Sequence, residues 1–443
     1  TQKGYLMPFE ASLPARRKVA VIGGGISGLG AARLLSQGCQ VTLFESGKRL
    51  GGHARTIVAG KNGDQPVDTG FIVFNYANYP LLTKMFDDLN VPVTKSDMSF
   101  GASVRGGRME YGLTNLRAVF AQLRNAADPR FIGMLRDVLR FNARALETSQ
   151  KPGMTIGGLL DALGTGVWFR DYYLLPLSGA IWSTPKQKIL DFPAEAMIRF
   201  FDNHALLSHK GQHQWHTVQG GSIQYVERLE AALRNTGVEI RLGCPVQAIR
   251  RTMRGPQIRT HGQSWKTFDE VVLATHSDDS LKMLIDPTVA EQNALSAIRY
   301  QPNTVTLHAD HSVMPRNTRA WASWNYREGV GRVGDALDLT YWMNRLQPIP
   351  QNDPMFVTLN ATRPVNPRLI YDEVTLRHPV YDAQAFAGQR EMARLNGDRN
   401  TWFCGAWMRN GFHEDGLASA VDVAEQIGKN LRVPSLGTTP MDD

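Results

Sequence analysis

Cysteine is scarce in this 443-residue sequence: there are three, Cys39, Cys244 and Cys404, far apart and without a CxxC pair. That spacing argues against a zinc site or a disulfide framework, and an odd number of thiols fits a reducing compartment. Metal-ligating histidine patterns are missing too. Neither HExxH nor a di-iron ExxH spacing occurs, so no metal is expected. No apolar run is long enough to span a bilayer, and no secretory signal precedes the first strand. The expectation is a cytoplasmic protein, soluble or peripheral to the inner membrane. Internal repeats and low-complexity linkers are absent, which favours one fold with interleaved segments over beads on a string. Thr1–Arg16 shows no periodicity and reads as a tail.

Acidic residues are outnumbered: 41 Asp and Glu face 49 Lys and Arg, a net charge of +8. A basic balance suits an anionic partner, or serves solubility alone. The stretch from Thr114 to Glu147 reads as helical, and six arginines between Thr114 and Leu146 stand against Asp128 and Asp137. Arg136, Arg140 and Arg144 recur every four residues and share a helix face. Arg117 and Arg124, one heptad apart, extend it, and Leu135, Val138, Leu139 and Phe141 supply apolar surface. Such a helix either lies on anionic lipid, its guanidinium forks gripping phosphate, or is an ordinary solvated face. Nucleic acid is not an expected partner, because the arginines are not interleaved with a stacking platform.

With 42% hydrophobic residues the chain can bury a large core, and its length suggests two or three domains. Lys18–Ile22 is a β-branched apolar run that fits a buried parallel strand. Ile26–Ser36 has helical spacing, and Gln40–Phe44 is a second strand, which makes a β-α-β unit. Further strands are expected at Val238–Ile249, Glu270–Ala274, Val305–Ala309 and Leu337–Met343. Trp402 to Asn430 reads as strand, glycine-rich turn and helix. Between the first strand and helix, Gly23, Gly25 and Gly28 form GxGxxG. The first permits a tight turn, the second lets a pyrophosphate approach the backbone, and the third allows close helix–strand packing. The helix start then offers free N–H groups and a positive dipole end to phosphates. Glu45, closing the second strand, suits a ribose diol and disfavours a 2′-phosphate.

Three further segments resemble the flavin amine oxidase superfamily, which includes monoamine and polyamine oxidases and phytoene-type desaturases. They are Glu45–Thr56 with Arg49, Gly51, Gly52 and His53; Val67–Phe71 with its D-x-G turn; and Trp402–Trp407 followed by Gly411–Ala420. The resemblance covers most of the chain. It is closest to a bacterial subgroup of FAD-binding proteins that accompany methyltransferases of the cyclopropane fatty acid synthase type. Its phrases include Trp215–Ser222, Ala274–Asp278, Trp321–Tyr326, Asn203-His204, Tyr341–Asn344 and His378–Asp382. The resemblance implies FAD, held without a covalent bond because no S-G-G-C-Y motif surrounds Cys404. It places at the cofactor Gly23, Gly25, Ile26, Ser27, Gly28, Glu45, Ser46, Arg49, Gly51, Gly52, His53, Thr69, Gly70, Phe71, Ile72, Val246, Gly405, Ala406, Gly416 and Leu417. Two positions depart from the family: His53 replaces an arginine, and Ala406 stands where many members carry an acid.

The expected fold is α/β, a Rossmann-type (glutathione reductase-like) FAD-binding domain interleaved with an α+β substrate domain. Residues 16–75, 215–285 and 395–432 would form the first, and 76–214 and 286–394 the second. The expected activity is hydride removal from a C–H bond that tolerates positive character, in an unsaturated or methyl-branched acyl chain of a phospholipid. The alternatives are an amine oxidase, which yields imine and hydrogen peroxide, and a non-catalytic flavin-bearing partner of a lipid methyltransferase. His413 and Glu414, at the helix start that would face the flavin, are candidates for proton transfer, or else Glu414 and Asp415 cap the helix. Tyr341, with Trp342, is a candidate pocket wall or plain core.

Overall fold

A computed structural model of the protein describes residues 16–182, 189–204, 206–207, 213–328 and 338–431. The expected tail lies outside them except for Arg16, as do Leu337 and Arg432. Lys18–Ile22 is the centre of a five-stranded sheet. Gln40–Phe44 and then Glu239–Arg241 lie on one side, and Glu270–Leu273 and then Thr401–Phe403 on the other, all parallel. Alternate residues serve opposite faces, as the strand period requires. Val19 and Val21 join Leu29, Leu229 and Val423 under the helices Ile26–Leu35, Ile223–Asn235 and His413–Leu431. Ala20 and Ile22 face Ile249, Ile258, Leu295 and Met392, from a three-stranded antiparallel sheet and two helices.

A second layer is built on a seven-stranded sheet, in the order Ile370–Val380, Arg299–His308, Phe356–Leu359, Asp338–Trp342, Trp324–Arg327, Phe100–Val104, Met109–Gly112. Its pairings are antiparallel except that Trp324–Arg327 runs parallel to Phe100–Val104. Helices Pro129–Thr148, Ile156–Leu163 and Ala194–Asn203 enclose one apolar cluster with it, and Val305, Met343, Val357 and Ile72 form another. The fold is therefore α/β, a parallel sheet with a separate sheet domain. Helices Pro80–Asp88, Val289–Ala297 and Ala383–Leu395, from segments 76–214 and 286–394, pack into the cores of the parallel sheet.

Two elements differ from expectation. The helix expected over 114–147 is broken into Leu116–Val119, Arg124–Ala127 and Pro129–Thr148. Pro129 cannot donate a backbone hydrogen bond and disfavours helical geometry in the residue before it. Asp128 accordingly sits at φ −88°, ψ 111°, and its side chain accepts the Arg130 N–H. The strand expected over Val238–Ile249 is two strands, Glu239–Arg241 and Val246–Thr252, in different sheets. Gly243, at φ +60°, turns the chain between them.

Asp68 ties the layers together. Its carboxylate, fully buried, accepts the backbone N–H of Ser222 at 2.9 and 3.0 Å, the Ser222 hydroxyl at 2.7 Å and the Thr56 hydroxyl at 2.6 Å. From the second layer it accepts Gln347 Nε2 at 3.0 Å. Burial pushes its carboxyl up to about 6, against the pull of these donors, so it is ionised at neutral pH. Asp68→Asn turns an amide toward a ring of donors. Thermal unfolding at pH 7.5 is expected to show a loss of about 2–4 kcal/mol; an unchanged Tm would contradict this role.

Candidate functional site

The site begins where the central strand ends. Gly23 turns at φ +108° and gives its N–H to the Phe44 carbonyl at 2.8 Å. A Cβ on Gly28 would lie 1.8 Å from the Gly23 oxygen, so only glycine lets the first helix start this close to the strand. The helix N-cap, Gly25, offers no side-chain cap, which leaves the N–H groups of the first turn facing outward. Beside Gly25 the nearest atom to a would-be Cβ is Gly52 Cα at 4.0 Å, an open cradle that a side chain would fill. Ile26 and Ser27, the first helical residues, meet a second helix start: a Cβ on Gly416 would lie 2.8 Å from Ser27 Oγ and 3.6 Å from Ala406 N. Two positive helix ends therefore converge at the carboxyl edge of the parallel sheet, and the first, over the open cradle at Gly25, suits a dinucleotide's phosphates.

The neighbouring segments line up along this edge. Glu45 accepts the N–H groups of Gly24 and Gly47, each at 2.6 Å, and the Ser46 hydroxyl at 3.2 Å. Gly243 and Cys244 bond to the carbonyls of Gly47 and Glu45, which brings Val246 to the same end. Gly51 pairs with Gly25, and its N–H reaches the Gly24 carbonyl at 2.8 Å. Arg49 braces this loop from behind, donating to the carbonyls of Leu50, Gly52 and Ala54 at 3.1, 2.8 and 2.9 Å. Thr69, Gly70 and Phe71 run alongside: Thr69 N–H meets the Arg55 carbonyl at 2.8 Å and Phe71 N–H the His53 carbonyl at 3.0 Å. The Ile72 carbonyl accepts the Thr217 hydroxyl. Gly405 N–H is held by Ser419 Oγ at 2.9 Å, and the Leu417 side chain is buried against Gly30 between the two converging helices.

Histidines from separate segments gather next to this strip. His53 lies 5.8 Å from His276 and 5.4 Å from His378, between ring centroids. His276 follows the central strand's neighbour and stacks on Tyr300 at 4.3 Å; His378 comes from the long edge strand and meets Asn303 at 2.9 Å. Burial pushes His276 down to about 4 and His378 to about 3, and lowers His53 as well, so all three are neutral near pH 7. His53 is half-buried, yet its Nε2 is shut off from solvent and has no hydrogen-bond partner, while the Arg377 backbone bonds the ring. His413 stacks on Phe71 at 3.9 Å, meets the Tyr225 hydroxyl at 3.2 Å, and is pushed by burial down to about 3.

Glu414, expected as a candidate for proton transfer or as a helix cap, has both carboxylate oxygens engaged. Its two oxygens accept the N–H groups of Leu81 and Leu82 at 2.8 and 2.9 Å, so it caps the helix Pro80–Asp88. Asp415 accepts Phe412 N–H at 2.9 Å and closes its own helix start. Tyr341 meets Trp324 edge to face at 5.3 Å. The pair packs between the two apolar clusters of the seven-stranded sheet, the one that holds Ile72 and the one that Phe412 joins. His378 carried no sequence signal beyond its family phrase, and Asp68 and Tyr225 none that marked their bonding. No periodicity reports which histidines, hundreds of residues apart, meet in space.

Among the described residues one group of metal-ligating side chains bears on the metal expectation, His276, Asp278 and Asp279, whose ligand atoms lie within 4.8 Å of one another. Arg377 and Lys282 already pair with both aspartates. Among the described residues no helix is long and apolar enough to cross a membrane.

A family model described as flavin containing amine oxidoreductase matches residues 26–346. A stretch of 105 residues is 41% identical to the FAD-dependent oxidoreductase dbaF of Emericella nidulans; it covers 23% of this chain and 22%, about a fifth, of that relative's length. Among solved structures, a CLA-producing fatty acid isomerase from P. acnes superposes with a TM-score of 0.65 at 16% identity, over 95% of this chain and 100% of that one. Cyclohexylamine oxidase from Brevibacterium oxydans gives 0.65 at 15% identity, over 94% and 100%. Both are likenesses of fold.

Arg49→Ala removes the brace from the Gly51–Gly52 turn without touching the first helix. Its charge-assisted bonds are worth about 1.5–3 kcal/mol, so FAD is expected to dissociate roughly ten to a hundred times more readily. Flavin fluorescence released on dialysis measures this, and retention equal to that of the parent would remove the bracing role.

Proposed function

The chain belongs to the family of flavin-containing amine oxidoreductases, with FAD as its cofactor, and we propose that it takes a hydride from a C–H bond of a phospholipid's fatty acyl chain, one already unsaturated or methyl-branched. The observation that carries this reading is electrical. The side chains gathered beside the glycine cradle include three imidazoles that burial keeps neutral, and the carboxylates of the same elements are committed elsewhere. Asp68 serves Ser222, Thr56 and Gln347; Glu414 serves a helix start; Asp278 and Asp279 serve Arg377 and Lys282. A protonated amine entering there would leave water without gaining a counter-charge. An aromatic cage would need ring faces turned to the cation, and Trp324 and Tyr341 instead meet at 90°. Phe200 stacked on Phe412 at 4.9 Å continues the wall in apolar form.

The N–H groups of the turn and helix start at Gly25, Ser27 and Gly28 would hold the pyrophosphate, and Glu45 the adenosine ribose. Gly51–His53 and Thr69–Ile72 would flank the ribityl chain and ring, and the start of His413–Leu431 would face the ring's far edge. Burial pushes the Cys404 thiol up to about 12, which argues for a non-covalent cofactor. FAD, when bound, supplies the acceptor for a hydride equivalent. Formation of a double bond also releases a proton from the adjacent carbon. His53 Nε2, neutral, buried and unpartnered, is the acceptor this chain offers. Trp324 and Tyr341 would orient the chain and keep water out.

Anaerobic addition of bacterial phospholipid is expected to bleach the flavin's visible absorbance and to leave an acyl chain two hydrogens lighter, while a panel of amines leaves it oxidised. Bleaching by amines and not by lipid would replace this reading with amine oxidation. Reduction by dithionite alone would favour a flavin-bearing partner of a lipid-modifying methyltransferase. The pH dependence follows from the depressed imidazoles: a base must be unprotonated, and burial moves these groups below their ordinary range. The bleaching rate constant is therefore expected to fall only on the acid side of the ordinary histidine range, because burial lowers the His53 imidazole. A rate that halves near pH 6.5 would exclude a buried histidine as acceptor.

A further inference from the structure

The helix Pro129–Thr148 has one face in the core, through Phe131, Met134, Phe141 and Ala145. Its outer face carries two stripes side by side. Ile132, Leu139 and Leu146 recur every seven residues; Arg136, Arg140 and Arg144 recur every four. On the helical wheel the two stripes are adjacent, both pointing away from the buried side. The three arginines are exposed, Leu139 is 59% exposed and Leu146 41%. The short helices just before it leave Leu116 and Leu123 at 77% and 81%, next to exposed Arg117 and Arg124. Single exposed leucines are routine, but a line of them along a basic stripe is a surface with a purpose.

From this pairing of stripes we infer that the outer face of Pro129–Thr148 docks on an anionic lipid bilayer. The apolar stripe enters the headgroup boundary and the arginines take phosphate oxygens. Charge complementarity selects this occupant. Of the segment's three acids, Asp128 pairs with Arg130, Asp137 pairs with Arg140 and the Gly166 N–H, and Glu147 is exposed, so the outer face keeps a net positive charge. Arg136 and Arg144 have no partner among the described residues. A bilayer meets both stripes at once, whereas an acidic protein surface would leave the leucines in water. The position also matters. The underside of this helix belongs to the same apolar cluster that reaches Trp324, Tyr341 and Phe412, so docking sets the bilayer against the layer that walls the site. The inference stands without the acyl substrate, because binding is read without turnover.

The test is flotation of the holoprotein with vesicles of phosphatidylcholine alone or mixed with phosphatidylglycerol. The parent is expected to float with the anionic vesicles only, and less as salt rises. The double variant Arg136→Gln/Arg144→Gln should bind about 30-fold more weakly, at roughly fivefold per arginine near the surface. Leu139→Ser/Leu146→Ser should bind more weakly at unchanged charge. Both should keep the parent's FAD content and Tm, which excludes misfolding. No flotation with anionic vesicles, equal flotation with neutral ones, or unchanged binding by the arginine variant overturns the inference. Lipid dispersed in detergent, with no bilayer present, reports on the substrate reading alone.

Discussion

Any side chain at Gly28 would place its Cβ 1.8 Å from the Gly23 carbonyl oxygen, so the first helix can begin where it does only because that residue has none. The rest of the structure depends on this contact. It lets the helix start lie over the end of the central strand, where the C-terminal helix start can meet it through Gly416, and where the Gly51 turn can pair with Gly25. Two dipole ends and an open cradle then occupy one place. Arg49 holds the cradle through backbone carbonyls, and Glu45 closes it at the neighbouring strand end. Each is a local device, and together they set where a dinucleotide can lie.

The second constraint is desolvation. Beside the glycine cradle three imidazoles gather, and burial keeps them uncharged. The nearby carboxylates are taken up by backbone and guanidinium partners. Glu414 is the clearest case: it stands at the start of its own helix, but its oxygens complete a different one. A site whose buried imidazoles are uncharged and whose carboxylates already have partners treats a neutral apolar chain and a cation very differently.

One helix serves both surfaces of the second layer. The inner face of Pro129–Thr148 carries the aromatic core and its outer face the arginine and leucine stripes. Pro129 makes this possible. It separates the long helix from the short turns before it, so that Leu116 and Leu123 are held at their own angles and not in the long helix's register.

The β-α-β unit, the glycine turn, Glu45 at the second strand end and the strand–turn–helix close of the chain were all legible in the sequence, because each is a local pattern. A strand buried on both faces must be apolar throughout, a helix near a phosphate must start on glycine, and arginines four apart must share a face. Tertiary structure alone decided the remainder. It gave the Glu414 carboxylate to another helix's N–H groups, split Val238–Ile249 between two sheets at Gly243, and brought His53, His276 and His378 together from three distant segments. The physical reason is one of range. Hydrogen-bonding periodicity and backbone sterics act over a few residues and leave their mark in spacing. Burial, the pairing of a carboxylate with another helix's N–H groups, and the desolvation of an imidazole depend on neighbours that only the folded chain supplies.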